Sequence, residues 1–407
     1  MRGTIAQETT GRNLERIAPR SVAPWMDDLT PSVRAQLRLD ALRDVTARTV
    51  DVIVAGAGVA GLSAALASAR SGARVLVLDS APTIGQGATG QNAGILSAGI
   101  NMALADLPPE SPERQMWPET TRVLLDFTGE AARPGALLSA SLTGALSLAE
   151  TPGAARHLER EGKARNALGL RAEMWTPRQI AEKAGERLDT HSVVAALWLP
   201  DEGRIQPLTL LAHLAGQARA RGATLAGQAE VTAFETAAGS GGGRHWHLHT
   251  ADGITLTARG LILATGPIRA ATARIYALAF DFVLPDDFPL FWDAAPYTYC
   301  DFRPGNGRLT ASGGRYGRAG GSPRAANYYR RLADAARRWL PELAQSQPTH
   351  TWAVDLAVAA GMVPHIRDLD ESIPGVAIEG LGALGVLPGV VLGKRAGETM
   401  ARRLSGG

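Results

Sequence analysis

The chain has little of several features that would assign it to a special class of protein. Its 407 residues include one cysteine, Cys300, which excludes an internal disulfide framework and makes a reducing cytosol the expected compartment. The formal net charge is only +3, and no basic stripe typical of nucleic-acid binding is present. The first residues lack the apolar core of a secretory signal, and no window approaches the roughly 18 apolar residues of a membrane span. We expect a cytoplasmic globular protein with no nucleic-acid partner and no membrane span.

The most informative stretch runs from Val50 to Asp79 and reads VDVIVAGAGVAGLSAALASARSGARVLVLD. An apolar run predicts a buried strand, residues 56–61 have the spacing G-x-G-x-x-G, and a helix and a second strand follow. In such a turn the first glycine permits a tight bend, the second lets the backbone approach a pyrophosphate, and the third lets helix and strand pack closely. The helix N-terminus favours phosphates, and Asp79 lies where a carboxylate binds ribose hydroxyls. The stretch therefore predicts a dinucleotide site.

Two further segments are rich in glycine. Residues 80–99, SAPTIGQGATGQNAGILSAG, contain five glycines, which predicts tight turns or a backbone that passes close to a ligand. Residues 380–385, GLGALG, lie between a predicted strand and a last helix opening at Pro388. We expect both segments to present backbone N–H groups to a common site.

Two other patterns have more modest interpretations. His245, His247 and His249 alternate along one strand of a predicted hairpin, so they share a face that could bind a metal or simply be solvated. We favour the solvated face and expect no metal. In the N-terminal segment, Thr30 and Pro31 resemble a helix start, and apolar residues recur at helical spacing up to Val45. This pattern predicts one helix packed on the outside of the nucleotide domain.

Together these motifs resemble the flavoprotein family of D-amino acid oxidase, glycine oxidase and sarcosine oxidase, over about residues 48–404. The resemblance rests on GAGVAG with its following acid, GATGQNAG at 87–94, the helix after Pro207, LILATG at 261–266 and GLGALG. Within the family, CDFRPGNGRLTASGGRYG at 300–317 is most similar to the γ-glutamylputrescine oxidoreductase-like branch. The spacing from Trp352 to Pro364 agrees with that branch.

The resemblance implies FAD rather than NAD. The FAD is expected to be non-covalent, because Cys300 is not where family members attach flavin. Asp79 stands where the family usually has Glu, and Gln91 where it commonly has Arg. The positions implied to contact the cofactor are Gly56, Gly58, Ala60, Gly61, Asp79, Ser80, Gly87, Ala88, Thr89, Gln91, Asn92, Ala93, Gly94, Val231, Thr265, Gly266, Gly382, Leu384, Gly385, Val386 and Leu387.

The resemblance also implies hydride transfer from the substrate α-carbon to flavin N5, followed by hydrolysis of the imine. Amino-acid oxidases of the family clamp the substrate carboxylate with arginines, but Leu356 and Ala383 occupy those positions here, and Val354 replaces a glycine. A simple α-amino acid is therefore a poor candidate substrate. Tyr299 and His365 are the candidate catalytic residues, although packing or local capping explains them equally well.

Two arginines of the predicted substrate domain leave another alternative open. Arg303 and Arg315 either bind a remote acidic group of the substrate or hold the edge of the sheet.

The fold expected from the resemblance is α/β. It combines a Rossmann-type FAD-binding domain around a parallel sheet with an α+β substrate domain on a mixed or antiparallel sheet. The expected division is an N-terminal extension at 1–49, an FAD-binding domain at 50–104, 200–270 and 350–407, and a substrate domain at 105–199 and 271–349.

The predicted function is an FAD-dependent amine or amino-acid-derivative oxidase or dehydrogenase acting on a small molecule. One alternative is an FAD-binding subunit or maturation flavoprotein that needs a partner. Another is an NAD(P)H-dependent flavin hydroxylase, which the lack of a second nucleotide fingerprint disfavours.

Overall fold

The structure is a computed structural model, and it describes residues 19–238, 243–266, 271–294 and 300–405. Its helices begin after residues that satisfy free N–H groups or after tight turns. Thr30, Thr151 and Thr176 each accept a hydrogen bond from the first turn of a helix that opens with proline. The helices are α1 (Pro31–Gln36), α2 (Val59–Arg70), α3 (Met116–Ala131), α4 (Pro152–Ala167), α5 (Pro177–Ala184), α6 (Pro207–Ala220), α7 (Ala325–Trp339) and α8 (Val386–Ser405).

The strands are short and mostly buried on at least one face. They are β1 (Asp40–Ala41), β2 (Thr49–Ala55), β3 (Val75–Leu78), β4 (Ile95–Leu96), β5 (Ala140–Leu142), β6 (Ala145–Ala149), β7 (Glu173–Trp175), β8 (Ala195–Leu199), β9 (Gly203–Ile205), β10 (Thr224–Gly227), β11 (Val231–Ala238), β12 (Arg244–Thr250), β13 (Thr255–Leu263), β14 (Ala273–Asp281), β15 (Leu290–Asp293), β16 (Cys300–Gly305), β17 (Arg308–Gly317), β18 (His350–Leu356), β19 (His365–Asp368) and β20 (Gly375–Glu379).

The first sheet has the order β1-β10-β3-β2-β13-β12-β11, and its β13 also pairs with β20. The strands β10, β3, β2, β13 and β20 run parallel, whereas β11, β12 and β19 are antiparallel to their neighbours. Helices α2, α6 and α8 pack together on one face. The carboxyl ends of the parallel strands therefore meet at one edge, where open α/β sheets bind their ligands.

The second sheet has the order β18-β14-β17-β16-β15-β6-β8-β7 and is mostly antiparallel. Helix α7 covers one of its faces, where Leu332 and Trp339 pack against Tyr276, Phe291 and Phe302. A small third sheet has the order β4-β9-β5, and its strands are antiparallel. The α/β class with one Rossmann-type sheet and one mixed sheet is confirmed.

The N-terminal segment differs from its prediction. Helix α1 ends at Gln36, and the chain continues as β1, which pairs with β10 at the edge of the first sheet. The reason is that the apolar residues of this segment are buried on both faces of that sheet. Val33 packs with the helices on one face, whereas Leu42 and Val45 pack on the other. One continuous helix cannot reach both faces, so the prediction of a helix up to Val45 is wrong.

Two surface questions raised by the sequence are answered for the described ranges. None of the helices in these ranges combines the length and the apolar character needed to cross a bilayer. In the same ranges, no three His, Cys, Asp or Glu side chains are grouped as metal ligands. His249 instead lies 3.4 Å from Glu235 on the neighbouring strand, as expected of a partly solvated face.

Candidate functional site: a cradle of glycine turns facing a sheet

The first glycine turn connects β2 to α2 and leaves no room for side chains. Gly56 has a φ of +104°, and a Cβ there would lie 2.4 Å from the carbonyl oxygen of Ala264 after β13. A Cβ on Gly61 would lie 1.8 Å from the carbonyl oxygen of Gly56. The spacing of the motif is thus required by close contacts between the turn, the helix and the neighbouring strand.

Asp79 follows β3 and lies beside this turn. One carboxylate oxygen accepts a hydrogen bond from the backbone N–H of Ala57 at 2.9 Å, and the other accepts one from Ala81 at 3.0 Å. These bonds fix the carboxylate at the carboxyl end of β3. Each oxygen keeps a second acceptor position, which is what a ribose hydroxyl requires.

The second turn, residues 85–94, is fastened to the first. The hydroxyl of Thr89 accepts a hydrogen bond from the backbone N–H of Val59, at 3.2 Å, in the first turn of α2. Asn92 stabilises the turn from within, because its amide donates to the carbonyl of Thr89 and accepts from Gly94 N at 2.6 Å. The backbone is folded so tightly that a Cβ on Gly90 would meet the carbonyl oxygen of Gly85.

Three side chains of distant elements hold the outer side of this loop. The indole N–H of Trp25 donates to the carbonyl of Asn92 at 2.9 Å, and that of Trp352 donates to Gln91 at 2.7 Å. Arg303 donates from Nε to the carbonyl of Gly94 at 3.3 Å, and its guanidinium lies 5.0 Å from the ring centre of Trp25. Burial, with a smaller contribution from neighbouring arginines, lowers the pKa of Arg303 to about 9. Arg303 lies on β16 inside the second sheet, so it holds the loop at Gly94 rather than the edge of the sheet.

The third turn connects β20 to α8. Gly382 has a φ of +62°, and a Cβ there would lie 2.5 Å from the amide nitrogen of Asn101. Asn101 brackets the turn, since its amide donates to the carbonyl of Leu381 at 3.0 Å and accepts from Leu384 N at 2.8 Å. Sequence reasoning missed Asn101, whose only sequence signal is that it follows the glycine-rich stretch 80–99 by two residues.

The three turns, residues 56–61, 85–94 and 380–385, form what we call the glycine cradle. Two helices run from it side by side. A Cβ on Gly389 of α8 would lie 2.9 Å from a methyl group of Val59 in α2, and one on Gly393 would lie 2.2 Å from the carbonyl oxygen of Ala60. The N-termini of α2 and α8 therefore open at the same place, with their free N–H groups and positive dipole ends together.

The remaining predicted cofactor positions lie around the cradle. Thr265 and Gly266 follow β13, and the Cα of Thr265 would be 3.1 Å from a Cβ on Gly56. Val231 begins β11, where that strand pairs with Thr250. Ser80 and Gly87 are exposed, whereas Ala60 and Leu387 are buried at the starts of their helices. The structure brings most of these positions to the carboxyl ends of β2, β3, β13 and β20.

A buried ionic network supports the segment that carries Asn101. Arg165 of α4 lies 2.8 Å from Glu161 and 2.9 Å from Glu202. Each carboxylate also accepts a backbone N–H at 2.8 Å, Glu202 from Ala98 and Glu161 from Ala105. Burial raises the pKa of Glu202, and Arg165 opposes that rise. The network fixes one end of the segment 98–105 to Glu202, just before β9, and the other end to Glu161 in α4.

Of the two candidate catalytic residues, the structure describes only His365. Tyr299 lies outside the described residues, and so does the side chain of Arg315. The side chain of His365 is half exposed on β19, with Nε2 3.5 Å from Glu379 and Nδ1 3.4 Å from the carbonyl of Val363. Val354 and Leu356 are buried apolar residues on β18.

The fit to FAD follows from these observations. Gly56, Gly61 and Gly90 lie where any side chain would strike backbone, two helix N-termini open together, and a fixed carboxylate flanks the first turn. Backbone N–H groups and helix dipoles suit a pyrophosphate, and the carboxylate suits a ribose. These features together fit a dinucleotide cofactor.

Comparisons with known proteins agree with this geometry. Residues 51–399 match the family model DAO, described as FAD dependent oxidoreductase. Glycine oxidase from Geobacillus kaustophilus is similar in structure, with 20% identity, a TM-score of 0.71 and coverage of 88% of this chain and 95% of that one. L-proline dehydrogenase from P. horikoshii has 18% identity, a TM-score of 0.70 and coverages of 85% and 93%. Iminodiacetate oxidase from Chelativorans sp. BNC1 has 19% identity, a TM-score of 0.65 and coverages of 84% and 93%. No curated protein matches the chain.

Proposed function

Because the chain belongs to the DAO family of FAD-dependent oxidoreductases, we propose that it oxidises the C–N bond of an amine or amino-acid derivative. The observation that carries the proposal is the joint opening of the α2 and α8 N-termini onto the glycine cradle, opposite a sheet that bears the substrate positions. The similar structures include oxidases and a dehydrogenase of amino acids, which supports the same reaction class.

In this proposal each part of the cradle has one task. The backbone N–H groups of the first turn and of α2 would bind the pyrophosphate, and Asp79 would bind the adenosine ribose. The second turn would line the flavin, and the dipole at the N-terminus of α8 would stabilise negative charge on it. Bound FAD supplies a two-electron acceptor for hydride. The protein holds the substrate C–H bond in place and excludes water from it.

The substrate side favours amines over simple α-amino acids. At the positions where related oxidases clamp a carboxylate, the chain has Leu356 and Ala383, and Val354 stands where those oxidases have a glycine. Burying a carboxylate against these side chains without a partner would be costly. We therefore propose an amine or a larger conjugate, and we place the chain nearest the γ-glutamylputrescine oxidoreductase-like branch on the segment 300–317.

A second candidate function is supported by the same apolar positions. A chain that binds FAD but has lost its substrate clamps could act as a flavoprotein subunit whose partner supplies the missing groups. The two candidates share the cofactor and differ in whether the isolated chain reacts with substrate.

The test is to mix the purified, FAD-loaded protein anaerobically with a panel of amines and amino-acid derivatives. The loss of flavin absorbance (bleaching) is then measured. Bleaching by a panel member without NAD(P)H supports the amine oxidase. Bleaching that requires an added partner protein supports the subunit, and bleaching by NAD(P)H alone contradicts both. A protein that cannot be loaded with FAD overturns the proposal at its first step.

A further inference from the structure

Asp301 lies in the middle of the second sheet. It pairs with Ser312 of β17 on one side and with Trp292 of β15 on the other. Ser312 in turn pairs with Ala277 of β14, and Ala277 pairs with Trp352 of β18. Directly paired residues share a face, so these five residues form one row across the sheet. We call this row the sheet wall.

Two contacts show which way the sheet wall faces. Trp352, at one end of the row, donates its indole N–H to Gln91 in the cradle. Arg303 is two residues after Asp301, therefore on the same face, and donates to Gly94 in the cradle. Helix α7 covers the opposite face. Asp301 therefore faces the cradle, and it is partly exposed there.

Among the described residues, the charged group that acts on Asp301 is another carboxylate, Asp293. Burial, with a contribution from Asp293, raises its pKa to about 7, and a hydrogen bond from Ser312 opposes the rise. The nearby ionisable groups in the described ranges are Asp293, Tyr316 and Cys300, and burial raises the pKa of the Cys300 thiol to about 12. None of the ion pairs found among the described residues includes Asp301. The carboxylate is therefore poorly compensated by the residues that the structure describes.

We propose that Asp301 binds the ammonium group of the substrate, and that the substrate is a cationic amine without a carboxylate beside the reacting carbon. A cation at this place would pair with the exposed side of the carboxylate. The apolar Val354 and Leu356, farther along β18 from Trp352 on the same face, would contact the uncharged part of the substrate. The inference rests on the proposed function, because it assigns the amine to the site that faces the cradle.

The first experiment uses two probes of nearly equal shape and opposite charge. tert-Butylamine carries an ammonium group and has no hydrogen on the α-carbon, so it binds without being oxidised, and pivalate is its carboxylate counterpart. Calorimetric titration of the FAD-loaded protein at pH 8 is expected to show tert-butylamine binding at least about tenfold more tightly than pivalate. Tighter binding of pivalate, or no binding of tert-butylamine, overturns the inference.

The second experiment changes the carboxylate itself. Asp301→Asn should weaken tert-butylamine binding by at least about tenfold. The matched control is Asp334→Asn, an exposed aspartate on α7 behind the sheet, which should leave the dissociation constant unchanged. Unchanged binding by Asp301→Asn would show that the ammonium group lies elsewhere.

The third measurement is the pH profile. Because the Asp301 pKa is about 7, the dissociation constant for tert-butylamine should rise about tenfold per pH unit below that value, and Asp301→Asn should abolish the trend. If Asp301→Asn does not fold, Ser312→Ala decides the question. It removes a hydrogen bond that lowers the pKa, so the midpoint of the profile should move upward. A profile that stays in place contradicts the inference, whereas failure to load FAD contradicts the proposed function instead.

Discussion

The glycine cradle and the sheet wall form opposite sides of the site, and they are made from different atoms. The cradle presents backbone N–H groups, and its glycines are required because a Cβ would strike backbone, as at Gly56 and Gly61. The sheet wall presents side chains, including Asp301, Ser312 and Trp352. A surface of backbone atoms suits any chain that holds the same cofactor. A surface of side chains can be changed one residue at a time, and two of the positions that differ from the amino-acid oxidases, Val354 and Leu356, lie farther along β18 on the same face as the sheet wall.

The largest effect is expected from a methyl group inside the cradle. Gly61→Ala would place Cβ 1.8 Å from the carbonyl oxygen of Gly56, so the turn and α2 must separate. We expect the purified protein to contain almost no FAD and to unfold at lower temperature. The control is Gly129→Ala in α3, where a Cβ meets nothing within 4 Å. Retention of FAD by Gly61→Ala would contradict the assignment of this turn to the cofactor.

The next effect is expected at the buried ionic network that holds the segment 98–105. Arg165→Met leaves Glu161 and Glu202 buried without their cation, which should lower the free energy of unfolding by about 3–5 kcal/mol. Lys163→Met, two residues earlier, removes a largely exposed pair with Glu159, so the free energy of unfolding in urea should be nearly unchanged. Equal effects of the two variants would mean that the buried network contributes no more than a surface pair.

A smaller and more selective effect is expected at Asn101, which brackets the third turn of the cradle. Asn101→Ala leaves Leu381 and Leu384 without their hydrogen bonds, at a cost of about 1–3 kcal/mol, so FAD should bind about tenfold to a hundredfold more weakly. Asn166→Ala is the control, because Asn166 brackets the backbone of Ala172 in the same way at the end of α4. It should lose stability and keep its FAD dissociation constant.

The smallest effect is expected at His365 on β19. The side chain of His365 is half exposed, and its ion pair with Glu379 is long at 3.5 Å, so His365→Ala should change the unfolding free energy by less than about 1 kcal/mol. His191→Ala, which removes an almost fully exposed histidine paired with Asp189, is the control. Loss of amine turnover in His365→Ala alone, with FAD content and stability unchanged, would support the catalytic role suggested by the sequence.

Local patterns predicted the cradle well. The unit from β2 through α2 to β3 follows the apolar run, the glycine turn and the second run of the sequence, and Thr30 with Pro31 does start a helix. The same local reasoning failed farther along that segment, because Leu42 is buried on the other face of the sheet from Val33. Helical spacing indicates that residues are buried, but it does not indicate on which face of the sheet they pack.

Contacts between distant residues could not be predicted. Asn101 is 280 residues from Leu381, and Trp25 is 67 residues from Asn92, so no spacing rule connects either pair. Asp301 in the sequence is one acid among aromatic residues, and only its pairing with Ser312, and through Ala277 with Trp352, shows that it faces the cradle.

The sequence by itself determined that this chain folds around a dinucleotide turn, because a glycine turn between a strand and a helix is a local feature whose geometry depends on adjacent residues. It also indicated the family, through the order of several such turns. Only the tertiary structure decided what faces the cofactor. The register of the second sheet sets which side chains share a face, and that register depends on strand pairings between residues far apart in the chain.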